Sequence, residues 1–224
     1  MKKNSNMIFG MIVTVLALGL ISLLVILSDT KSEPTATTTK KLVDVEGQPV
    51  LGEADAPVTI VEFGDFKCPA CKVWGEEVFP QLVKDYVDTG KVKFSYVNVL
   101  IHGEESQMAG LAAESVLKNS PEQYWEFHKA LFESQPDEET EWITLEKIKE
   151  ITDSIPGIVA TKVEREINEE KGNDELERDA NLVEKHNINR TPTIVINGIK
   201  INDPLNYDVI AKIIEKELEE EKSS

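Results

Sequence analysis

One stretch constrains this chain more than any other: residues 56–74, APVTIVEFGDFKCPACKVW. Val58-Thr59-Ile60-Val61 is a β-branched run, the composition of a buried strand. Gly64-Asp65 breaks it, Cys68-Pro69-Ala70-Cys71 follows, and the residues beyond are predicted to be helical. Proline is accepted at the first helical position, because its missing N–H would have no intrahelical partner there. The spacing therefore predicts Cys68 at a helix N-cap, where orphan backbone N–H groups and the positive end of the helix dipole favour a thiolate. Lys67 is expected to add a positive charge nearby. Cys71, one turn on, shares the helix face and can close a disulfide with Cys68.

These are the only two cysteines among 224 residues. As half of a zinc site the pair lacks ligands, because zinc wants four; no second CxxC exists, and His102, His128 and His186 are scattered. As a structural staple it closes too short a loop to constrain the unfolded chain much. Two unpaired buried thiols are the remaining alternative. The strand–turn–CxxC–helix context is the one a redox-active pair requires, and it decides for that reading.

Other residues speak less clearly by themselves. Glu62 sits inside the apolar strand, where an isolated buried carboxylate is pushed towards protonation. It could instead face outward, and Asp65 is a second acid close by. Thr191-Pro192-Thr193 precedes a further strand, and an ordinary trans proline would serve there.

EFGDFKCPAC resembles the active-site segment of DsbA-type thiol:disulfide oxidoreductases. Residues 48–220 are similar throughout to the membrane-anchored Gram-positive branch of that family, through GQPVLGEADAPVTIVEFGDFKCPAC, VKFSYVNV, YWEFHKALF and TPTIVING. The resemblance implies an α/β thioredoxin fold with an inserted helical domain, preceded by one N-terminal transmembrane helix. It implies that the Cys68–Cys71 disulfide does the chemistry with no other cofactor, and that Glu62 is the proton acceptor for buried Cys71. It makes Pro192 a cis-proline beside the CxxC, with Thr191 presenting its backbone to an extended substrate chain, as in strand addition. It also implies a structural calcium ion held by the Gln48 backbone, Glu114, Asp179 and the Val183 backbone. Those donors come from three distant segments and give no EF-hand-like spacing, so exposed acids on helices are the alternative. The implied partners are unfolded exported proteins with free thiols and a DsbB-like integral membrane quinone reductase, and the implied state is a monomer. Ala70 departs from the His of the best-known DsbA motif and removes one possible cationic donor.

At the N-terminus, Lys2 and Lys3 precede an uncharged apolar run at 7–27. A run of ~20 residues spans a ~30 Å hydrocarbon core and exceeds the length expected of a cleaved signal. An uncleaved anchor over 1–28 is expected, with a cleaved signal as the alternative. The positive-inside rule places the rest of the chain outside the cytoplasm, on the extracytoplasmic face of the cell membrane. An oxidising compartment suits a working disulfide. Residues 29–41, rich in Thr, Lys and Pro, read as a flexible tether. A first half of the thioredoxin core is expected at 42–102, helical insertion at 103–187 and a second half at 188–224. Leu42 to Val50 reads as an edge strand, and Pro80 should kink the helix after the CxxC. Net charge is −17, which argues against nucleic acid, since that demands a basic footprint.

The expected activity is disulfide insertion into exported proteins. Two rivals are an extracytoplasmic reductase of the cytochrome c maturation type, and a non-redox binding module or chaperone on the same fold.

Overall fold

The computed structural model describes residues 37–38, 41–137 and 140–223. The apolar run expected to form an anchor, and most of the expected tether, lie outside them. The short strands β1 (Thr37–Thr38) and β2 (Val50–Leu51) come first. Then follow β3 (Val58–Gly64), α1 (Pro69–Glu77), α2 (Phe79–Leu82) with a π-helical turn over Val83–Val87, and β4 (Val92–Asn98). Five helices come next: α3 (Glu104–Asn119), α4 (Tyr124–Glu133), α5 (Leu145–Ser154), α6 (Ala160–Asn168) and α7 (Asn173–Lys185). The chain closes with β5 (Thr193–Ile196), β6 (Ile199–Lys200) and α8 (Tyr207–Lys222).

The strands form one mixed sheet in the order β1-β6-β5-β3-β4-β2. β3 runs parallel to β4, Val58 opposite Val92 through Gly64 opposite Asn98, and antiparallel to β5, Ile60 opposite Ile196 through Phe63 opposite Thr193. β3 is thus a central strand covered on both faces, which explains its continuous apolar run. The same topology brings three loops to one end of the sheet: the CxxC turn after β3, residues 99–103 after β4, and Thr191-Pro192 before β5.

α1 buries Cys71 and Trp74, and Trp74 stacks on Phe94 of β4 at 5.7 Å. The helix breaks at Val78 and resumes as α2, because Pro80 has no N–H for the carbonyl four residues back. Tyr96 lies across Gly64. A Cβ added there would sit 2.5 Å from the Tyr96 ring, so only glycine admits this packing. Gly198, at φ +83° in the β5–β6 turn, faces the Lys41 backbone in the same way.

Two apolar clusters meet near the CxxC. One joins Phe66, Cys68, Cys71 and Tyr96 to the inserted helices through Phe127, Leu131 and Phe132. The other joins Trp74, Leu82 and Phe94 to β5 and α8. Trp125 packs against both.

One expectation about the elements needs correction. The edge strand expected over Leu42 to Val50 shrinks to Val50–Leu51, paired with Ser95 and Phe94 of β4. Pro49 lacks an N–H for a ladder and Gly47 turns the chain at φ +80°. Helix α7 has no distinct signal in the sequence, because NDELERDANLVEK buries only Leu176 and Asp179 and its apolar period is faint.

Candidate active site

Cys68 occupies the N-cap of α1, at φ −76° and ψ 119°, with Pro69 at the first helical position. Both cysteines are thiols in this structure. Cys68 keeps 7% of its surface and Cys71 none. That difference follows from position, since Cys68 ends the exposed turn and Cys71 faces the core one turn in.

The environment pulls the two sulfurs apart. Cys68 is lowered to about 5, chiefly because the Cys71 thiol donates a hydrogen bond to it. Thr191 and the backbone N–H groups of Cys71 and Ala70 add to this against the cost of burial. Cys71 is pushed well up, first by burial and then by that same donated bond and the nearby Glu62 carboxyl. Lys67 does not supply the expected charge. Its ammonium pairs with Glu105 at 2.7 Å and bonds the Thr140 carbonyl.

Glu62 is 1% exposed, so the outward-facing alternative does not hold. It lies between Tyr96 of β4 and Ile194 of β5. Burial, and then repulsion from Cys68, hold its carboxyl well above the usual range. The Thr191–Pro192 bond is cis, and the Thr191 carbonyl accepts from Cys68 Sγ at 3.6 Å. The Thr191 hydroxyl is buried on the side of Cys68 and helps hold that sulfur down. Its contribution has no signal in the sequence, because residues 68 and 191 meet only through the β3–β5 pairing.

Asp65 also takes a place that sequence did not assign. Its backbone carbonyl accepts from Cys68 N at 2.9 Å. Its buried carboxylate accepts from Lys67 N at 2.8 Å, Ile101 N at 3.1 Å, Ser106 Oγ at 2.8 Å and the His102 ring at 2.8 Å. Gln135 completes the clasp, donating to the Lys67 carbonyl at 2.6 Å, while Lys72 donates to the Gln135 carbonyl at 2.7 Å. The CxxC turn is thereby fastened to the helical insertion.

The thioredoxin family matches residues 44–216. A disulfide bond formation protein D of Bacillus subtilis (strain 168) is 47% identical over 174 residues, 78% of either chain. This chain belongs to the DsbA-like thioredoxin family. A probable disulfide bond formation protein D of Bacillus anthracis is 31% identical and covers 96% of this chain and 99% of its own. Among solved structures, oxidised BdbD of Bacillus subtilis superposes with a TM-score of 0.78 at 46% identity, over 80% of this chain and 96% of that one. Chlamydia trachomatis DsbA gives 0.69 at 26% identity, over 82% and 96%.

As a DsbA-like protein this chain is a thiol:disulfide oxidoreductase that needs no external cofactor for its chemistry. A low-pKa sulfur leaves readily from a mixed disulfide, so Cys68 suits attack by, and release of, a substrate sulfur. A buried sulfur held protonated, beside a carboxyl that can exchange its proton, suits the second position.

Away from the CxxC, the structure brings together Gln48, Glu114 and Asp179 of the residues the family resemblance offered for calcium. Asn98 Nδ2 donates to Glu114 at 3.0 Å and to Asp179 at 2.8 Å, and Gln48 Nε2 donates to Asp179 at 2.6 Å. Both acids are buried, so they are not exposed helix residues. Glu114 is pushed up to about 8 by burial and then by Asp179, and burial likewise raises Asp179. The Val183 carbonyl instead accepts from Ile188 N at 2.9 Å. Among the described residues no three His, Cys, Asp or Glu side chains cluster as a metal site. Even so, the Gln48 and Asn98 side-chain oxygens are buried without partners beside two carboxylates. An all-oxygen set of this kind fits a hard cation.

His128 packs in the core, ringed by Phe66, Tyr96, Trp125 and Phe132 at 4.7–5.3 Å. Burial holds it down to about 3, and its Nε2 has no partner among the described residues.

Proposed function

We propose that this chain is a membrane-anchored oxidant that inserts disulfides into exported proteins. The observation that carries this is the split between the sulfurs, Cys68 near 5 and Cys71 far above it. A thiolate stabilised in the dithiol form makes the enzyme's own disulfide easy to reduce, and so oxidising. In this reading a substrate thiolate attacks Cys68, and Cys71 leaves and takes a proton from Glu62. A second substrate thiol then displaces Cys68, and the substrate departs oxidised. Thr191 and Pro192 seat the extended substrate chain. A DsbB-like membrane quinone reductase restores the Cys68–Cys71 disulfide. The apolar run at 7–27 anchors a monomeric catalytic domain on the extracytoplasmic face of the cell membrane.

The test is a redox titration of the pair. A Cys68 pKa near 5 stabilises the dithiol at pH 7 by about 1.7 units relative to a thiol titrating at 7, which is itself half ionised there, or about 2.3 kcal/mol. That corresponds to a midpoint ~50 mV above the ~−270 mV of thioredoxin. A midpoint at or below that of thioredoxin would hand the chain to the reductase reading.

Calcium belongs to the same proposal. Glu114 and Asp179 would hold it with the Gln48 and Asn98 side-chain oxygens, and the ion would neutralise two buried carboxylates. Calcium at about a hundred times its Kd should raise Tm by roughly 5–10 °C. With Glu114 near 8, binding releases a proton, so the rise should be larger at pH 8.5 than at pH 6.5. Glu114→Ala should abolish it. Thermal melts with and without millimolar calcium decide, and an unchanged curve removes the ion from the account.

A further inference from the structure

Asp65 and His102 form a pair that the reaction above does not use. The His102 imidazole meets Asp65 Oδ2 through Nδ1 at 2.8 Å. That oxygen already accepts from Ile101 N and Ser106 Oγ, and the His102 backbone N–H donates to Ser106 Oγ at 3.1 Å. A carboxylate can only accept, so the proton on Nδ1 is fixed, and it is Nε2 that presents the lone pair of the neutral imidazole. The carboxylate is fully buried, while the imidazole is 36% exposed. A buried acid that orients a half-exposed histidine is the geometry of a general base with a fixed tautomer.

The pair stands beside the nucleophile. Asp65 binds the Cys68 amide through its carbonyl. His102 and Pro69, the residue after Cys68, line one cleft of about 300 Å³, walled by Lys67, Glu105, Gln135 and Trp142. β4 and β5 flank β3 on opposite sides, so the loop with His102 and the loop with Thr191 approach Cys68 from opposite sides. A substrate chain held along Thr191 would turn its far side towards His102.

We propose that His102, aligned by Asp65, is the general base that takes the proton from the incoming substrate thiol. This rests on the thiol oxidant reading. A cysteine thiol of pKa ~8.5 is only a few per cent thiolate at pH 7, which limits the first exchange. The S–H proton passes to Nε2 and the freed electron pair forms the bond to Cys68 Sγ. The Cys68–Cys71 bond breaks, its electron pair leaves on Cys71, and the imidazolium returns its proton to solvent. The other charged groups facing the cleft are Lys67, paired with Glu105, and the carboxylates of Asp137 and Glu141.

The experiment mixes the oxidised full-length protein with a peptide bearing one cysteine. It follows the second-order rate of disulfide opening from pH 6 to pH 10, with His102→Asn alongside. The asparagine amide can still donate to Asp65 but offers nothing in place of Nε2. The variant should be slower by ~10-fold or more near pH 6.5–7, the low end of general-base effects or below. It should converge on the parent near pH 10, where the peptide is already thiolate, and its reduction potential should be unchanged. Superimposed profiles, or a loss equal at every pH, would overturn the proposal. A parent protein that does not react with the thiol at all would instead bring down the oxidoreductase reading itself.

Discussion

Cys71→Ser should turn the protein from a catalyst into a trap. Turnover in a dithiol-oxidation assay should fall by ~10³-fold or more, the scale lost when a covalent catalytic unit is broken. At the same time disulfide-linked complexes with substrate proteins should accumulate. Cys68 remains reactive towards disulfides in this variant, but Cys71, whose return attack on Cys68 would release a partner that has not yet been displaced by its own second thiol, is gone. Cys68→Ser should lose turnover equally and form no complexes, because the remaining sulfur is fully buried and held protonated. The asymmetry is readable in the parent protein. With Cys68 near 5, about nine tenths of it is thiolate at pH 6. Brief alkylation of the dithiol form at that pH, followed by peptide mass mapping, should find the label on Cys68 alone. Equal labelling of both thiols, or complexes formed equally by either serine variant, would contradict the assignment.

The dithiol form should also be more stable than the disulfide form, the reverse of a structural disulfide. The Cys68 pKa is depressed on folding, so its stabilisation is absent below about pH 5, grows as the thiolate forms, and is complete above the unfolded value of ~8.5. At pH 7 the two-unit interval corresponds to ~2.7 kcal/mol, discounted to ~2 kcal/mol for solvent screening at the protein edge. Glu62 works in the opposite sense. Its raised carboxyl costs stability as pH rises through the ordinary carboxylate range, but it is buried in both redox forms and largely cancels from the difference. Denaturant unfolding of the two forms at pH 7 and pH 5 measures this directly. The gap should be clear at pH 7 and nearly closed at pH 5. A disulfide form more stable by 1 kcal/mol or more at pH 7 would mean that the pair is not an oxidising one.

Much of the local architecture can be read from residues alone. The β-branched run at Val58, Thr59, Ile60 and Val61 is a central strand, and Pro69 starts a helix with Cys68 at its cap. These features depend on neighbours within a few positions, where β propensity and N-terminal proline act. The break before Pro80 is legible for the same reason. Helix α7 is not, because its stability comes from packing Leu176 and seating Asp179 against distant partners rather than from its own pattern.

Local sequence is enough to offer one cysteine pair at the mouth of a strand–helix unit, with an acid six residues upstream and a Thr-Pro before a late strand. How that pair behaves is set by the packed fold. Packing buries Glu62 between β4 and β5 rather than turning it to solvent. It draws the Lys67 charge away to Glu105 and leaves the depression of Cys68 to Cys71, Thr191 and backbone N–H groups. It joins Asp65 to His102 and Ser106, and Glu114 to Asp179 through Asn98, across separations no local pattern encodes. The physical reason is common to all of these. Electrostatic effects on a titrating group act through space over a few ångströms and are scaled by burial, and both quantities are set only when distant segments pack.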